Sequence, residues 1–150
     1  MAKISQKITT FLWFDNQALE AANFYCSIFK KSKVLNASPM VVTFELEGQK
    51  FMALNGGPRF KFNEAISLFV DCDSQTEVDD LWTKLTSNGG AESMCGWLKD
   101  KYGLSWQIIP NTLMKLMGDK DRAKAQRVMQ AMLKMRKIEV KALKDAYNQK

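Results

Sequence analysis

Apolar and polar positions follow the same order twice along the chain. Residues 8–14 form an apolar, aromatic-rich run that leads into polar residues, and residues 66–70 lead into residues 71–74 in the same way. Residues 48–54 and 103–109 each start at a glycine and continue as an apolar segment. Short runs of this kind are typical of strands. The repeated order therefore predicts two paired half-domains that enclose a site.

The first copy is predicted to contain one helix among four strands. The first strand is followed by Asp15 or Asn16, either of which can cap a helix, and residues 17–29 repeat apolar positions at helical spacing. The three later strands are predicted at residues 34–37, 40–46 and 51–54. Gly48 allows the last hairpin, because glycine accepts a positive φ. The break at residues 55–58, NGGP, is predicted to link the copies.

The second copy is predicted to begin near Ala65. Ser74 and Glu77 match a capping box, in which each side chain accepts from the backbone N–H of the other residue. The helix that follows is expected to end at residues 88–90, where two glycines stand. Further strands are predicted at 91–94, 96–99 and 105–109, and further helices at 113–117, after Asp119 or Asp121, and at 139–147.

This order of elements predicts an α+β fold. Two βαβββ modules would form curved mixed sheets, and C-terminal helices would follow them. The chain of 150 residues suits a single domain. Within it we assign the first module to residues 1–57, the second to residues 58–111 and the helical extension to residues 112–150.

Cysteine usage and apolar run lengths bear on location. The three cysteines, Cys26, Cys72 and Cys95, form no C-x-x-C pair, so no zinc knuckle or thioredoxin-type motif is available. Free thiols fit a reducing cytosol. No apolar run near the start reaches the length of a signal peptide or a membrane span. We expect a cytoplasmic protein with no membrane segment.

The positive charge lies in the tail. The net charge is +6, and residues 119–150 contain ten Lys or Arg against four Asp or Glu, while the remainder is balanced. A basic nucleic-acid-binding surface is therefore not expected on the body. The tail has regular apolar positions without interleaved aromatic residues. It is expected to expose its charges and to pack its methionines on the body or on a second subunit.

Several segments resemble a known family. The βαβββ duplication resembles the vicinal-oxygen-chelate superfamily of glyoxalases, bleomycin-resistance proteins and extradiol dioxygenases. Six segments narrow the resemblance: FLWFD (11–15), EAANFY (20–25), ALNGGP (53–58), FKFNEA (60–65), CGWLKD (95–100) and YGLSWQ (102–107). Together they resemble the PhnB-like branch, labelled 3-demethylubiquinone-9 3-methyltransferase-like, over nearly the whole chain including the tail. The resemblance implies a homodimer with a small organic ligand.

One loop departs from the family. Relatives usually carry a longer loop with glycine and proline between the second and third strands, whereas here only residues 36–39, Asn36 to Pro39, join them. In the family this loop often borders the pocket. Its shortness therefore bears on the size of any pocket.

The metal chemistry of the superfamily is not expected in this chain. In metal-using relatives four inward strand positions hold the ion, and they fall here on Ile8, Met52, Ile66 and Gln107. The chain contains no histidine, and an amide with a thioether does not make a site for a hard divalent metal. We therefore expect no metal and no cofactor, with Ile8, Met52 and Ile66 in the core.

The methyltransferase label also lacks a motif. A Rossmann-type cofactor site needs a glycine-rich turn between a strand and a helix. The pair at residues 56–57 precedes a proline, and the pair at residues 89–90 follows a helix. Function must be argued from a site rather than from a family name.

Pocket residues are proposed on the strands, with two interpretations open for each. Gln107 either binds a ligand or pairs with backbone, and the two tryptophans near it either line a pocket or pack in the core. The ligand-binding candidates are Thr10, Met52, Ser67, Trp97, Trp106 and Gln107.

Candidate catalytic groups are Cys95 and Gln107. A reactive thiol needs a cation or helix N-terminus to lower its pKa, and no histidine is present to act as its base. Cys26 and Cys72 are expected to be small buried side chains. Lys99 and Asp100 are expected to form a solvated pair at a turn.

Three functions remain in competition. The first is a metal-independent small-molecule-binding protein, without nucleic-acid or membrane partners. The second is an enzyme (a lyase, an isomerase or, as the family label says, a methyltransferase) that uses non-metal groups. The third is a dimeric interaction module.

Overall fold

The structure of the protein is a computed structural model, and it describes residues 5–149. Residues 1–4, which belong to the predicted first module, and Lys150 lie outside the described residues. By its internal contacts the chain divides into two compact units, Met1–Phe62 and Asn63–Lys150. The boundary thus follows Phe62, whereas the sequence placed the module boundary after Gly57.

The first unit has the predicted order βαβββ. Its elements are β1 (Thr10–Phe14), α1 (Ala18–Ile28), β2 (Lys33–Ala37), β3 (Val41–Leu46) and β4 (Gln49–Asn55). They form one four-stranded sheet in the order β1-β4-β3-β2. The β1–β4 pair is parallel and the other pairs are antiparallel, so the sheet is mixed. The short connection between β2 and β3 is closed by Ser38, whose N–H donates to the Val41 carbonyl at 2.9 Å.

One face of this sheet packs on α1. The helix buries Ala18, Ala21, Ala22 and Tyr25, which lie on one side at helical spacing. The strands turn alternate residues toward it because side chains alternate across a sheet. The buried strand residues are Leu12, Phe14, Val42, Phe44, Leu46, Phe51 and Ala53.

The NGGP segment runs from the last residue of β4 into the connection to the second copy, and it is also hydrogen-bonded to the first unit. The Asn55 side chain accepts from the Ala18 N–H at 2.9 Å, at the start of α1, and donates to the Pro39 carbonyl at 3.0 Å. Gly56 N–H donates to the Phe14 carbonyl at 2.8 Å. A Cβ at Gly56 would lie 2.4 Å from the Trp13 ring, which leaves room for glycine alone. The segment lies in the connection between the copies, as predicted, and Asn55 and Gly56 fix its start to the first unit.

The second unit repeats the order and adds three helices. Its elements are β5 (Ser67–Cys72), α2 (Gln75–Leu85), β6 (Ala91–Glu92), β7 (Trp97–Lys99), β8 (Ser105–Pro110), α3 (Asn111–Met117), α4 (Arg122–Met132) and α5 (Val140–Asn148). The sheet order is β5-β8-β7-β6, with β5–β8 parallel. The α+β fold with two mixed sheets and C-terminal helices is confirmed.

The strand predicted at residues 91–94 is shorter than expected. It stops at Glu92 because the chain turns before β7, where the Trp97 N–H donates to the Met94 carbonyl at 3.1 Å. Cys95 and Gly96 form the turn with positive φ angles of 60° and 84°. The turn shortens β6 to an edge strand of two residues.

Ser74 caps α2 as predicted, although Glu77 accepts from the N–H of Asp73 and not from that of Ser74, and of the two residues predicted for α4 Asp121 is the cap. Ser74 Oγ accepts from the Glu77 N–H at 3.2 Å, and the Glu77 carboxylate accepts from the Asp73 N–H at 2.8 Å. Asp121 accepts from the Ala123 and Lys124 N–H groups at the start of α4. These contacts satisfy backbone donors that a helix leaves free at its N-terminus.

The C-terminal helices have a core of their own, shared with the end of β8. Its buried members are Ile109, Leu113, Val128, Ile138 and Leu143. Met117, Met132 and Met135 pack against it, which confirms that the tail packs methionines on the body. Among the described residues, no helix combines the length and apolar character needed to cross a membrane.

Candidate ligand-binding site

The sheet of the second unit carries two parallel rows of side chains on the face away from α2. Strand register aligns them across β5, β8 and β7. The polar row consists of Ser67, Ser105 and Lys99. The aromatic row consists of Phe69, Gln107 and Trp97. This face is called the open face below, because Phe69 is exposed and Trp97 and Gln107 are half-buried.

The opposite face forms the core with α2, and it contains Trp106. Trp106 pairs with Leu68 and Leu98 in the sheet and is only 2% exposed. Its indole Nε1 donates to the Asp100 carboxylate at 2.9 Å. Neighbouring residues on a strand point to opposite faces, so Trp106 does not line the open face that Trp97 and Gln107 share.

Asp100 is a buried structural residue, contrary to the expectation of a solvated pair with Lys99. It is 2% exposed. Its carboxylate accepts from the Tyr102 N–H at 2.9 Å and the Leu104 N–H at 3.1 Å, besides the Trp106 indole. A carboxylate that accepts backbone N–H bonds two and four residues later organises a turn. It thereby sets where β8 begins, and with it the polar row.

Gln107 is held by a side chain rather than by backbone. Its Nε2 donates to Ser67 Oγ on the neighbouring strand at 2.9 Å. A serine hydroxyl that accepts one bond still has a proton to donate, and an amide oxygen accepts up to two bonds. The pair therefore presents an oriented donor and an oriented acceptor on the face that Phe69 and Trp97 share.

A cavity of about 270 Å³ lies at the β7 end of the polar row, against Lys99 and Ser105, and its described lining does not include Ser67, Phe69 or Gln107. Its lining includes Glu64, Ser93, Trp97, Lys99 and Ser105. Ser105 is 1% exposed, and its Oγ has no hydrogen-bond partner among the described residues. Lys99 forms an ion pair with Glu64, and the hydrogen bond from Lys99 holds the pKa of the Glu64 carboxyl below its usual range. The sequence prediction included Ser67 and Trp97 but missed Ser105, Lys99 and Phe69.

The first unit has a row that corresponds to the aromatic row. Phe11, Met52 and Thr43 align across β1, β4 and β3 on the face away from α1. Met52 therefore lies where Gln107 lies in the second unit. Thr10 pairs with Phe51 and belongs to the α1 side of the sheet, so it is not on the same face as Met52.

Ile8 and Ile66 are exposed, not buried as expected. Ile8 is 88% and Ile66 71% exposed. Each precedes its strand, because β1 begins at Thr10 and β5 at Ser67. The apolar runs of the sequence begin one or two residues before the strands, and these two residues are left exposed to solvent.

The residues present do not fit the metal site of the wider superfamily. Of the four carried-over positions, Ile8 and Ile66 have no donor atom, Met52 has a thioether and Gln107 an amide engaged with Ser67. Within residues 5–149 no group of three His, Cys, Asp or Glu side chains is placed to hold a metal ion. Divalent iron, manganese, nickel and zinc select imidazole and carboxylate ligands, which this set lacks.

The cysteines differ in setting. Cys72 is fully buried, and burial is the main cause that raises its pKa to about 12. Burial also raises the pKa of the half-buried Cys26. Cys95 is half-buried in the turn before β7, where its N–H donates to the Met135 carbonyl at 2.7 Å.

Comparisons with known proteins identify a family and several solved structures that this chain resembles. The model of the 3-demethylubiquinone-9 3-methyltransferase family matches residues 6–109. A solved structure of a PhnB protein from Bacillus cereus, described as a 3-demethylubiquinone-9 3-methyltransferase, is 38% identical. It aligns with a TM-score of 0.64 over 70% of this chain and 99% of its own. No curated protein matches the chain.

More distant structures share the fold alone. A glyoxalase-related enzyme from Fulvimarina pelagi is 16% identical with a TM-score of 0.52, over 72% of this chain and 91% of its own. The fosfomycin resistance protein FosX from Listeria monocytogenes, solved with Mn(II) and sulfate, is 13% identical with a TM-score of 0.53, over 69% of this chain and 88% of its own. The family match stops at residue 109. The resemblance was expected to include the helical tail, and the match does not extend to it.

Proposed function

The chain belongs to the 3-demethylubiquinone-9 3-methyltransferase family and has the glyoxalase-like fold, and from that premise we propose that it binds a small organic molecule on the open face without a metal ion. The observation that carries the proposal is the aromatic row. It places Gln107 between Phe69 and Trp97 on one face of the sheet.

The row has the composition of a small-molecule site. Ligand sites are mostly apolar, with a few oriented polar groups that fix the ligand. Rings supply stacking area at low conformational cost. The hydrogen bond from Gln107 to Ser67 fixes the amide, so the amide does not have to be ordered when a ligand arrives.

Recognition in this proposal uses hydrogen bonds and stacking alone. The donor chemistry of Gln107 and Met52 supports that, because a neutral amide and a thioether are poor ligands for hard divalent ions. Methyl transfer is not proposed. The glycines at residues 56–57 are tied to β1 and Trp13, and those at residues 89–90 follow a helix, so neither pair forms a strand-to-helix cofactor turn.

The enzyme alternative gains no support from Cys95, because the chain has no histidine to act as a base for its thiol. The homodimer that the resemblance implies remains part of the proposal. Sedimentation of the purified protein at several concentrations measures it, and a monomer throughout would remove it.

A thermal-shift screen of small organic molecules on chelator-treated protein tests the proposed function. We expect compounds that raise the melting temperature of the wild type and not that of Gln107→Leu. Gln126→Leu, an exposed glutamine on α4, is the matched control and should respond like the wild type. Elemental analysis of the untreated protein completes the test. A stoichiometric divalent metal, or hits that survive in Gln107→Leu, would contradict the proposal.

A further inference from the structure

Ser105 is an unusual residue of the second unit. Among the described residues its Oγ is the buried side-chain oxygen that has no hydrogen-bond partner. Buried polar groups in folded proteins nearly always have partners, and an exception calls for an explanation. Ser105 lines the cavity at the β7 end of the polar row. A group that enters the cavity is therefore positioned to supply the missing partner.

Lys99 is the neighbour of Ser105 across the β7–β8 pair. Lys99 lines the same cavity, and its ammonium group is paired with Glu64, which is another lining residue. Both side chains of this ion pair are well exposed, 41% for Lys99 and 61% for Glu64. Exposed ion pairs contribute little free energy. The carboxylate of Glu64 can therefore be exchanged for one from outside at small cost.

The second carboxylate in the cavity wall is already committed. Glu92 accepts from the Trp82 indole at 2.7 Å through one oxygen, and its other oxygen lies 3.6 Å from Arg136. Glu92 thus has partners from α2 and from the segment after α4. Glu92 therefore does not compete for Lys99. Lys99 is the cation among the described lining residues, and it becomes available to an anion when Glu64 is displaced.

We propose that the ligand of the open face is an aromatic carboxylate, whose acid group takes the place of Glu64 at Lys99 and accepts from Ser105 Oγ. The inference rests on the proposed function and adds the ligand class. One carboxylate oxygen accepts from the ammonium group and the other from the hydroxyl, so both donors gain a charge-assisted bond.

The row spacing sets the length of this ligand. Residues two apart on one strand face are separated by roughly 6.6 Å. The carboxylate on the polar row and the ring over Trp97 on the aromatic row are therefore joined by a short aliphatic spacer. Phenylpropionate has this shape. Phenylpropionamide keeps the carbonyl without the negative charge, and phenylpropylamine carries an ammonium group in place of the carboxylate.

Isothermal titration with three matched probes tests the ligand class. We expect phenylpropionate to bind the wild type about tenfold more tightly than phenylpropionamide, because a charged acceptor gives stronger hydrogen bonds than a neutral one. Phenylpropylamine should bind least, since it repels Lys99. Glu64→Gln should tighten phenylpropionate binding, because it frees Lys99 without changing the shape of the side chain.

Variants of the two donors complete the experiment. Ser105→Ala should weaken phenylpropionate binding about three- to tenfold, the range of one net hydrogen bond, and leave the melting temperature of the free protein equal or higher. Lys99→Met should bring acid and amide to equal affinity. Lys115→Met, an exposed lysine on α3, is the control and should change neither affinity.

The outcomes separate the two proposals. Equal binding of acid and amide by the wild type, tighter binding of the amine, or weaker acid binding in Glu64→Gln would overturn the carboxylate inference while the small-molecule function stands. If none of the probes binds but other library compounds do, the inference is likewise overturned. If no compound of any class binds, the proposed function fails as well.

Discussion

The Nε2 of Gln107 donates to the Oγ of Ser67 at 2.9 Å, across the parallel pair β8–β5. The contact joins the aromatic row to the polar row and fixes the amide that the proposed site depends on. Ser67→Ala removes the acceptor and leaves Gln107 in place. We expect ligand affinity to fall about three- to tenfold, with a change in the free energy of unfolding of about 1 kcal/mol. Titration and urea unfolding measure both, and unchanged affinity would contradict this role for Ser67.

Gln75 fastens the C-terminal segment to the start of α2. Its side chain donates to the Ile138 carbonyl at 3.0 Å and accepts from the Val140 N–H at 2.7 Å. Gln75→Ala should lower the free energy of unfolding by about 1–3 kcal/mol, since two backbone groups lose their partners. Hydrogen exchange at Val140 should speed up, while Gln126→Ala should leave it unchanged. Equal exchange in the wild type and Gln75→Ala would show that this contact does not hold α5.

Asp100 should be among the residues least tolerant of change. Asp100→Ala leaves the Tyr102 and Leu104 N–H groups and the Trp106 indole without their acceptor. We expect a loss of about 3 kcal/mol or more, because bonds to a charged group are stronger than neutral ones. Urea unfolding followed by tryptophan fluorescence measures the loss. Asp80→Ala, at an exposed carboxylate on α2, is the control, and an equal effect at both sites would contradict the structural role.

The raised pKa of the buried Cys72 thiol predicts that the stability of the protein depends on pH. Burial raises its pKa to about 12 from an ordinary value of 9.0, so the folded state favours the protonated thiol. Its contribution to stability is complete below pH 9 and is lost as the pH rises toward 12. The stability advantage of the wild type over Cys72→Ala should therefore shrink between these values. Urea unfolding at several pH values compares the two, and a constant difference would contradict the shift.

Local signals along the sequence were sufficient for the elements. The cap at Ser74 was predicted, and Asp121 was one of two residues predicted for α4, because a helix cap is a contact within three residues. The prediction that Asp15 or Asn16 caps α1 was wrong, because the Ala18 N–H donates to Asn55, which is distant in sequence. The duplicated order and the fold class followed from short-range periodicity and from the resemblance. Ile8 and Ile66 were wrongly predicted to be buried, because an apolar run does not show which of its residues are covered by other parts of the fold.

The face of a strand was harder to predict than the strand. Trp106 and Gln107 are adjacent, yet one is core and the other faces the cavity side, and register against β5 and β7 decides which. Asp100 and Ser105 had no pattern that marked them as buried, since their burial comes from residues distant in sequence. An Asx turn after Asp100 was the one local signal available.

Fluorine NMR of protein labelled with fluorotryptophan tests the central claim most directly. The four tryptophans report on different places. The indole N–H of Trp82 donates to Glu92, that of Trp106 to Asp100 and that of Trp13 to the Gly57 carbonyl. Trp97 lies on the open face. Tryptophan-to-phenylalanine variants assign the signals. With chelator present, a bound small molecule should shift the Trp97 signal most and saturably, and Gln107→Leu should abolish the shift. A ligand that shifts Trp13, Trp82 or Trp106 and leaves Trp97 unchanged, or that binds only after a divalent metal is added, would contradict a metal-independent site on the open face.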